Sequence, residues 1–315
     1  MKPLETPIAF AIFNRPDLTQ RVFDEIKKAQ PKKLFVISDG ARNDDERKIV
    51  DETRKIIDQV DWECEVHKNY SDKNLGCKMR MYSGISWFFE NVEQGIILED
   101  DCVPSPSFFS FCEELLNKYK DDERVMMMSG DSFLDNAKEK NSYYFSKNCF
   151  LWGWATWRQA WQQYDINMRA YPKFRRTGGF HKALNNTQAE NYWMERFDRA
   201  FFDRIDTWDY HWLLAIWSAG GLCINPYMNL VSNIGFDDRA THTTRENKKL
   251  ADLPTRELNF PLVHPETFKI DKESDDFTNR YVFETYKQNK IKHPRLKRML
   301  IPLCGLYKKL ASHKK

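Results

Sequence analysis

Ile96-Ile97-Leu98-Glu99-Asp100-Asp101 is the stretch that decides the reading of this chain. A short apolar run bounded by polar residues is the mark of a buried strand, and this one delivers three consecutive acids to its exit. Adjacent carboxylates repel one another, so they need solvent, a cationic neighbour or a bound cation. The alternative is a solvated acidic turn ahead of Pro104. Working backward, residues 7–13 form another buried strand, ended by Asn14-Arg15-Pro16. Leu18, Val22 and Ile26 then recur at helical spacing over 17–29. A strand at 33–38 stops at Asp39-Gly40. An amphipathic helix over 44–60, a strand at 63–68 and a helix over 76–91 complete a βαβαβαβ order. Such alternation predicts an α/β fold with a mostly parallel central sheet and helices on both faces. In such sheets ligands sit beyond the carboxyl ends of the strands. Asn14, Asp39 and the acidic triplet all fall there.

Farther along, Met126–Ser129 reads as another central strand, and 182–203 and 209–219 read as helices. Eight of the ten tryptophans lie between Trp152 and Trp217. Trp154, Trp157 and Trp161 are read on one helical face, with Trp157 and Trp161 as packing. The chain divides into a body, 1–285, and a basic amphipathic tail, 286–315. The body has a nucleotide-side half to about 131 and an acceptor-side half from about 132, sharing one core.

The chain has 315 residues, with 49 Lys and Arg against 46 Asp and Glu, a formal charge of +3. Ten of the positive charges lie in 286–315, leaving −7 on the body. An acidic body is a poor partner for nucleic acid, whose binding needs a basic face. No apolar run reaches the ~18–20 residues of a membrane span, and no secretory signal is seen at the N-terminus. The seven cysteines are scattered, with no C-x-x-C pair. That argues against a zinc site or disulfide framework and for a reducing compartment. A cytoplasmic protein is expected. The tail interleaves basic and apolar residues in a way that suits peripheral contact with an anionic membrane on its inner face; the alternative is a flexible soluble tail.

Several pieces taken together resemble the GT-A class of nucleotide-sugar-dependent glycosyltransferases. Within it the likeness is to animal N-acetylglucosaminyltransferase I and to bacterial sugar transferases labelled haemolytic protein. The pieces are Ala11–Pro16, Ile37–Gly40, Asn74–Cys77, Ile97–Cys102, Leu151–Trp154, Trp208-Asp209 and Ser232–Thr243, in family order over about 7–245. The resemblance implies a GT-A-like, Rossmann-related fold and an inverting transfer of a sugar, such as N-acetylglucosamine, from a UDP-sugar to a glycan or lipid-linked acceptor. It implies that Asp39 holds the uridine, that Asn14 and Arg15 line the nucleotide pocket, and that Asp100 and Glu99 contact the donor ribose and sugar. Asp101 would be the direct ligand of a Mn or Mg ion bridging the diphosphate. A metal clamp suits a chain with neither a P-loop nor G-x-G-x-x-G.

Further candidates follow. Gly76 and Lys78 open a helix whose N-terminus is either an anion site or a simple cap. Trp152, Gly153 and Trp154 are placed beside the donor sugar. Asp209, between Trp208 and Tyr210, is either the base that deprotonates the acceptor or a helix cap; the resembled enzyme has a second acid where Tyr210 stands. His211 either orients the acceptor or is a core residue. The resemblance implies that a loop over 232–243 closes on the diphosphate, with Thr241 and His242 as phosphate or metal contacts and Arg239 as a phosphate partner; the alternative is an exposed polar loop. Two rival readings are a sugar-nucleotide-forming nucleotidyltransferase and a non-enzymatic membrane-active or binding protein. The first needs a glycine-rich loop after the first strand, which Asn14-Arg15-Pro16-Asp17 lacks.

Overall fold

The computed structural model describes residues 2–134, 140–237, 239 and 250–285. Thr241, His242 and the tail 286–315 therefore lie outside the described residues. The elements in chain order are β1 (Ile8–Ile12), α1 (Pro16–Ala29), β2 (Lys33–Ser38), α2 (Asp44–Lys55) with a 3-10 turn (Ile56–Gln59), β3 (Glu65–Tyr70), α3 (Gly76–Asn91), β4 (Gln94–Glu99), β5 (Cys102–Pro104) and α4 (Pro106–Tyr119). Then come β6 (Val125–Ser129), β7 (Tyr143–Ser146), β8 (Trp154–Trp157), α5 (Arg158–Trp161), α6 (Tyr171–Arg176), α7 (Gly179–Leu184), α8 (Thr187–Phe201), α9 (Asp209–Ala219), β9 (Leu222–Pro226), β10 (Val231–Asn233) and α10 (Lys272–Phe277), which runs into a π turn (Thr278–Val282).

Eight strands form one sheet in the order β3-β2-β1-β4-β8-β6-β9-β7. β1 pairs in parallel with β2 and β4, and β2 with β3. β8 runs antiparallel to both β4 and β6, and β7 antiparallel to β9. Six strands thus share one direction, and the expected mostly parallel α/β architecture is what is found. Side chains alternate across a strand, so each face has its own core. Ile8, Phe10 and Ile12 of β1 pack with Val22, Phe23 and Ile26 of α1 and with Phe108 and Leu115 of α4. Ala9 and Ala11, on the other face, pack with Ile85 and Phe88 of α3 and with Trp212 and Ile216 of α9.

Several sequence-based expectations are corrected. Residues 154–157 are a strand, not part of a helix, so Trp154 and Trp157 lie on opposite faces of the sheet and in different cores. Helical spacing was read into a four-residue segment too short to distinguish the two periods. The helix over 182–203 is two helices, broken where Asn185 adopts the left-handed conformation (φ 46°) and Asn186 caps α8 through the N–H groups of Gln188 and Ala189. The helix over 44–60 is α-helical only to Lys55, and the strand at 63–68 is Glu65–Tyr70.

The far edge of the sheet is closed by the chain's last described helix. Asp275 of α10 is buried and accepts hydrogen bonds from the Ser146 hydroxyl, the Lys147 N–H at 3.0 Å and the Asn148 amide at 3.1 Å. Burial outweighs these bonds and pushes its carboxyl up to about 6. A raised pKa means the folded state holds the proton more tightly. The contribution of Asp275 to stability is therefore full near pH 4 and is lost as the pH rises through about 6. At about 1.4 kcal/mol per unit, Asp275→Asn should erase up to about 3 kcal/mol of pH-dependent stability. Urea unfolding of both proteins at pH 4.5 and 7.5 checks this; parallel pH curves for the two would contradict it.

Candidate active site

The carboxyl ends of β1, β2 and β4 open into a cleft of about 250 Å³. Its lining includes Phe13, Asn14, Arg15, Asp39, Arg42, Gly76, Arg80, Glu99, Asp100, Asp206 and Arg239. Three sequence-distant polar clusters are thus brought to one sheet edge by parallel register, which sets Ala11 beside Ile37 and Glu99.

The acidic triplet has its cationic neighbour. β1 ends at Ile12, and Arg15 turns its guanidinium onto the exit of β4. There Nη2 pairs with Asp100 and lies 3.0 Å from Asp101 Oδ2. The Arg15 side chain is only 15% exposed and that of Asp100 5%. The two acids hold the guanidinium charged, well above its ordinary range, against the cost of burial. Even so, burial wins at the carboxylates. Asp100 is pushed up to about 6 against the pull of Arg15, and Glu99 to about 8 by burial, with Asp101 and Asp100 adding to it. Asp209 is close enough to Glu99 for their charges to interact.

Asp101 follows in the turn between β4 and β5. Its Oδ1 lies 3.3 Å from Cys102 Sγ, and its carbonyl accepts the Ile234 N–H at 2.9 Å. The antiparallel pairing of β10 with β5 brings residues 234–237 over it. Gly235 is required there, because a Cβ would lie 2.0 Å from Asp101 Oδ2. Arg239 grips Asp17 of α1 through two bonds of 2.8 and 2.9 Å and also pairs with Asp237.

Asp39 points at α3. Its oxygens accept the N–H groups of Gly40, Leu75 and Gly76 at 2.9–3.1 Å. Burial raises its carboxyl despite those bonds. The next two N–H groups of α3, Cys77 and Lys78, are taken by Asp206. The N–H groups at this helix start are thus shared between two carboxylates from distant parts of the chain. Lys78 reaches Asp203 at 2.7 Å, and Asn14 donates to Glu46, which also holds Arg42. Arg80 is buried beneath the cleft; it donates to the carbonyl and side chain of Asn69 at 2.8 Å, and burial lowers its pKa.

In the second half of the chain, Trp152 packs edge-on against Phe133 and Phe236. Gly153 adopts φ +71°, and its carbonyl accepts the Gly130 N–H at 2.7 Å. Trp154 is fully buried and stacks on Trp208 at 5.7 Å. Asp209 is the first residue of α9; it accepts the Thr207 hydroxyl and the Tyr210 N–H. His211 is buried and stacked on Tyr164.

Sequence reasoning missed Asp206, Glu46 and Asp131. Asp206 meets α3 across 129 positions, and nothing local announces such a contact. Glu46 follows Asn43 at capping-box spacing, a signal that was readable. Asp131 is a buried carboxyl at the exit of β6, raised well above its usual range by burial and bonded to Ser129 at 2.9 Å.

Among the described residues no group of three His, Cys, Asp or Glu side chains could hold a metal ion. The donor set at Asp101 fits a hard cation only as one carboxylate in a shell completed by phosphate and water, as Mg²⁺ and Mn²⁺ accept.

No family model matches the sequence, and no curated protein matches it. Among solved structures, the galactosyltransferase LgtC is similar at 10% identity, with 91% of this chain and 98% of that chain covered and a TM-score of 0.37. The inositol-1-phosphate CTP transferase from T. maritima is similar at 9%, with 72% and 86% covered and a TM-score of 0.36. HddC from Yersinia pseudotuberculosis is similar at 9%, with 49% and 77% covered and a TM-score of 0.32. Likeness at this distance carries no argument, so the site is read from its own residues.

Arg15→Gln should leave Asp100 and Asp101 without their counterion. Removing one partner of a buried pair costs roughly 3 kcal/mol or more. The loss should be smaller at pH 5, where Asp100 and Glu99 take up protons, than at pH 8. Denaturant titrations at the two pH values measure it, and an equal loss at both would count against the ion-pair account.

Proposed function

We propose that this chain transfers a sugar from a UDP-sugar to a hydroxyl of a glycan or lipid-linked saccharide, with inversion and with the help of Mn²⁺ or Mg²⁺. The observation that carries the reading is the cleft lined by Arg15, Asp39, Glu99 and Asp100, in which Arg15 bridges Asp100 and Asp101 and Glu99 is within charge range of Asp209.

The roles follow from position. The apolar residues of the cleft lining, Ala11, Ile37 and Met81, suit a flat base, and Arg80 in the same lining suits carbonyl oxygens. Arg15 is poised between the carboxylates and the cleft and can share its charge with a diphosphate. Arg239 can do the same if it leaves Asp17. Asp101 would hold the cation, which when bound supplies positive charge against the departing diphosphate. Glu99, at the end of β4 in the cleft, can hydrogen-bond to the sugar. Asp209 accepts the proton of the attacking hydroxyl, and the Trp152 ring is a flat apolar surface of the kind that suits a sugar face. Thr241 and His242 are proposed as further contacts of the diphosphate and cation. Attachment to an anionic membrane through 286–315 would place the chain near lipid-linked acceptors; no described helix is long and apolar enough to cross a membrane.

The nucleotidyltransferase reading is weaker. β1 leads through Phe13-Asn14-Arg15 directly into α1 at Pro16, leaving no glycine-rich loop to wrap a triphosphate.

Calorimetric titration with UDP should show binding that needs Mn²⁺ and is lost with EDTA. Asp101→Ala should weaken it at least tenfold, and Asp209→Asn should leave it within twofold while abolishing release of UDP from a UDP-sugar. Failure of UDP to bind wild type with Mn²⁺ present would sink the reading.

A further inference from the structure

We propose that Asp206 is a positioning residue: its carboxylate ties the segment that carries Asp209 to the first turn of α3, and so sets where the base stands relative to the donor. This rests on the transferase reading and on Asp209 as its base. The first N–H groups of a helix lack intrahelical partners. In α3 they are divided between two acids from opposite halves of the chain. Asp39, from the exit of β2, takes Leu75 and Gly76; Asp206, from the segment before α9, takes Cys77 at 2.9 Å and Lys78 at 3.1 Å. Lys78 adds a second tie from its ammonium to Asp203. Gly76 makes room for this: at φ +78° it has no side chain, and a Cβ would lie 2.8 Å from Asp206 Oδ2.

Every position from 206 to 209 is then held. The Thr207 hydroxyl donates to Asp209, the Tyr164 hydroxyl donates to the Trp208 carbonyl at 3.1 Å, and the Trp208 ring stacks on Trp154. Asp206 is exposed, and its bonds are to charge-matched N–H groups at a helix N-terminus, where a carboxylate is favoured. Asp209 is three residues on, at the start of a rigid helix, so it cannot shift without straining the Asp206 contact. Since misplacement by 1 Å can cost a hundredfold in rate, loosening this clamp should affect turnover more than donor binding.

The test uses the full chain with Asp206→Ala, Asp206→Asn and, as a variant that crowds the same carboxylate without removing it, Gly76→Ala. UDP binding with Mn²⁺ is measured by calorimetry, and hydrolysis of UDP-N-acetylglucosamine, UDP-glucose and UDP-galactose to UDP and free sugar, with water as the acceptor that gives its proton to Asp209, is followed at steady state. Asp206→Ala should keep UDP affinity and donor KM within twofold and lower kcat at least tenfold. Asp206→Asn, whose amide oxygen still accepts an N–H, should recover at least a third of wild-type kcat, and Gly76→Ala should lower kcat. An unchanged kcat in Asp206→Ala overturns the proposal. So does tighter UDP binding, which would mark Asp206 as a competitor of the diphosphate. Full release by Asp209→Asn removes the base assignment and this role with it, while leaving the donor site standing. UDP that binds wild type but is released from none of the three sugars overturns the transfer reading and the clamp together.

Discussion

The buried pairing of Arg15 with Asp100 and Asp101 is the interaction on which the site depends. Three consecutive acids at the end of a buried strand would otherwise carry the repulsion of like charges in a poorly solvated place. One guanidinium satisfies two of them, and its planar fork suits bidentate contact with carboxylates and phosphates alike. The same arrangement makes the cleft responsive to an anionic ligand. A group that can exchange one set of oxygens for another needs no large rearrangement to do so.

Around this pair the sheet performs a positioning task. β1, β2 and β4 end level with one another because they run parallel in register, and each hands over one chemical group: Arg15, Asp39 and the acidic triplet. Their ties are long-range: Arg15 reaches Asp100 and Asp101 through its side chain, and Asp39 holds the backbone N–H groups of Leu75 and Gly76. Rigid elements thereby hold a polar site whose members are far apart in the chain.

Much of this was legible in the sequence, for physical reasons that can be named. The parallel half of the sheet announced itself through short apolar runs with acids or Asn-Arg at their exits. α1 showed its buried stripe at Leu18, Val22 and Ile26. The second half was harder to read. Trp154–Trp157 is buried on both faces, so its hydrophobicity has no period, and a strand cannot be told from a helix by pattern alone. β7, β9 and β10 are short and find their partners only through tertiary pairing. In the site, Arg15 was placed at the cleft, but its bond to the very acids that seemed to need a cation was not visible, since that depends on how 85 residues of chain return to the same edge. The capping of α3 by Asp39 and Asp206 was open for the same reason: sequence supplies the helix start, and only the fold supplies its distant acceptors.

The placement of β8 has a consequence for how the molecule holds together. It is four residues long and comes from the second half of the chain, yet it lies between β4 and β6 and supplies the lateral hydrogen bonds to both. Trp154 projects into one core and Trp157 into the other. Without this strand the sheet would part into a four-stranded and a three-stranded piece, each with an open edge. The single strand therefore acts as a rivet through both layers, so that loss of order on one side exposes backbone and aromatic surface on the other. Melting of such an assembly is cooperative across the seam, and the cleft at the end of β4 keeps its shape only while the whole sheet does.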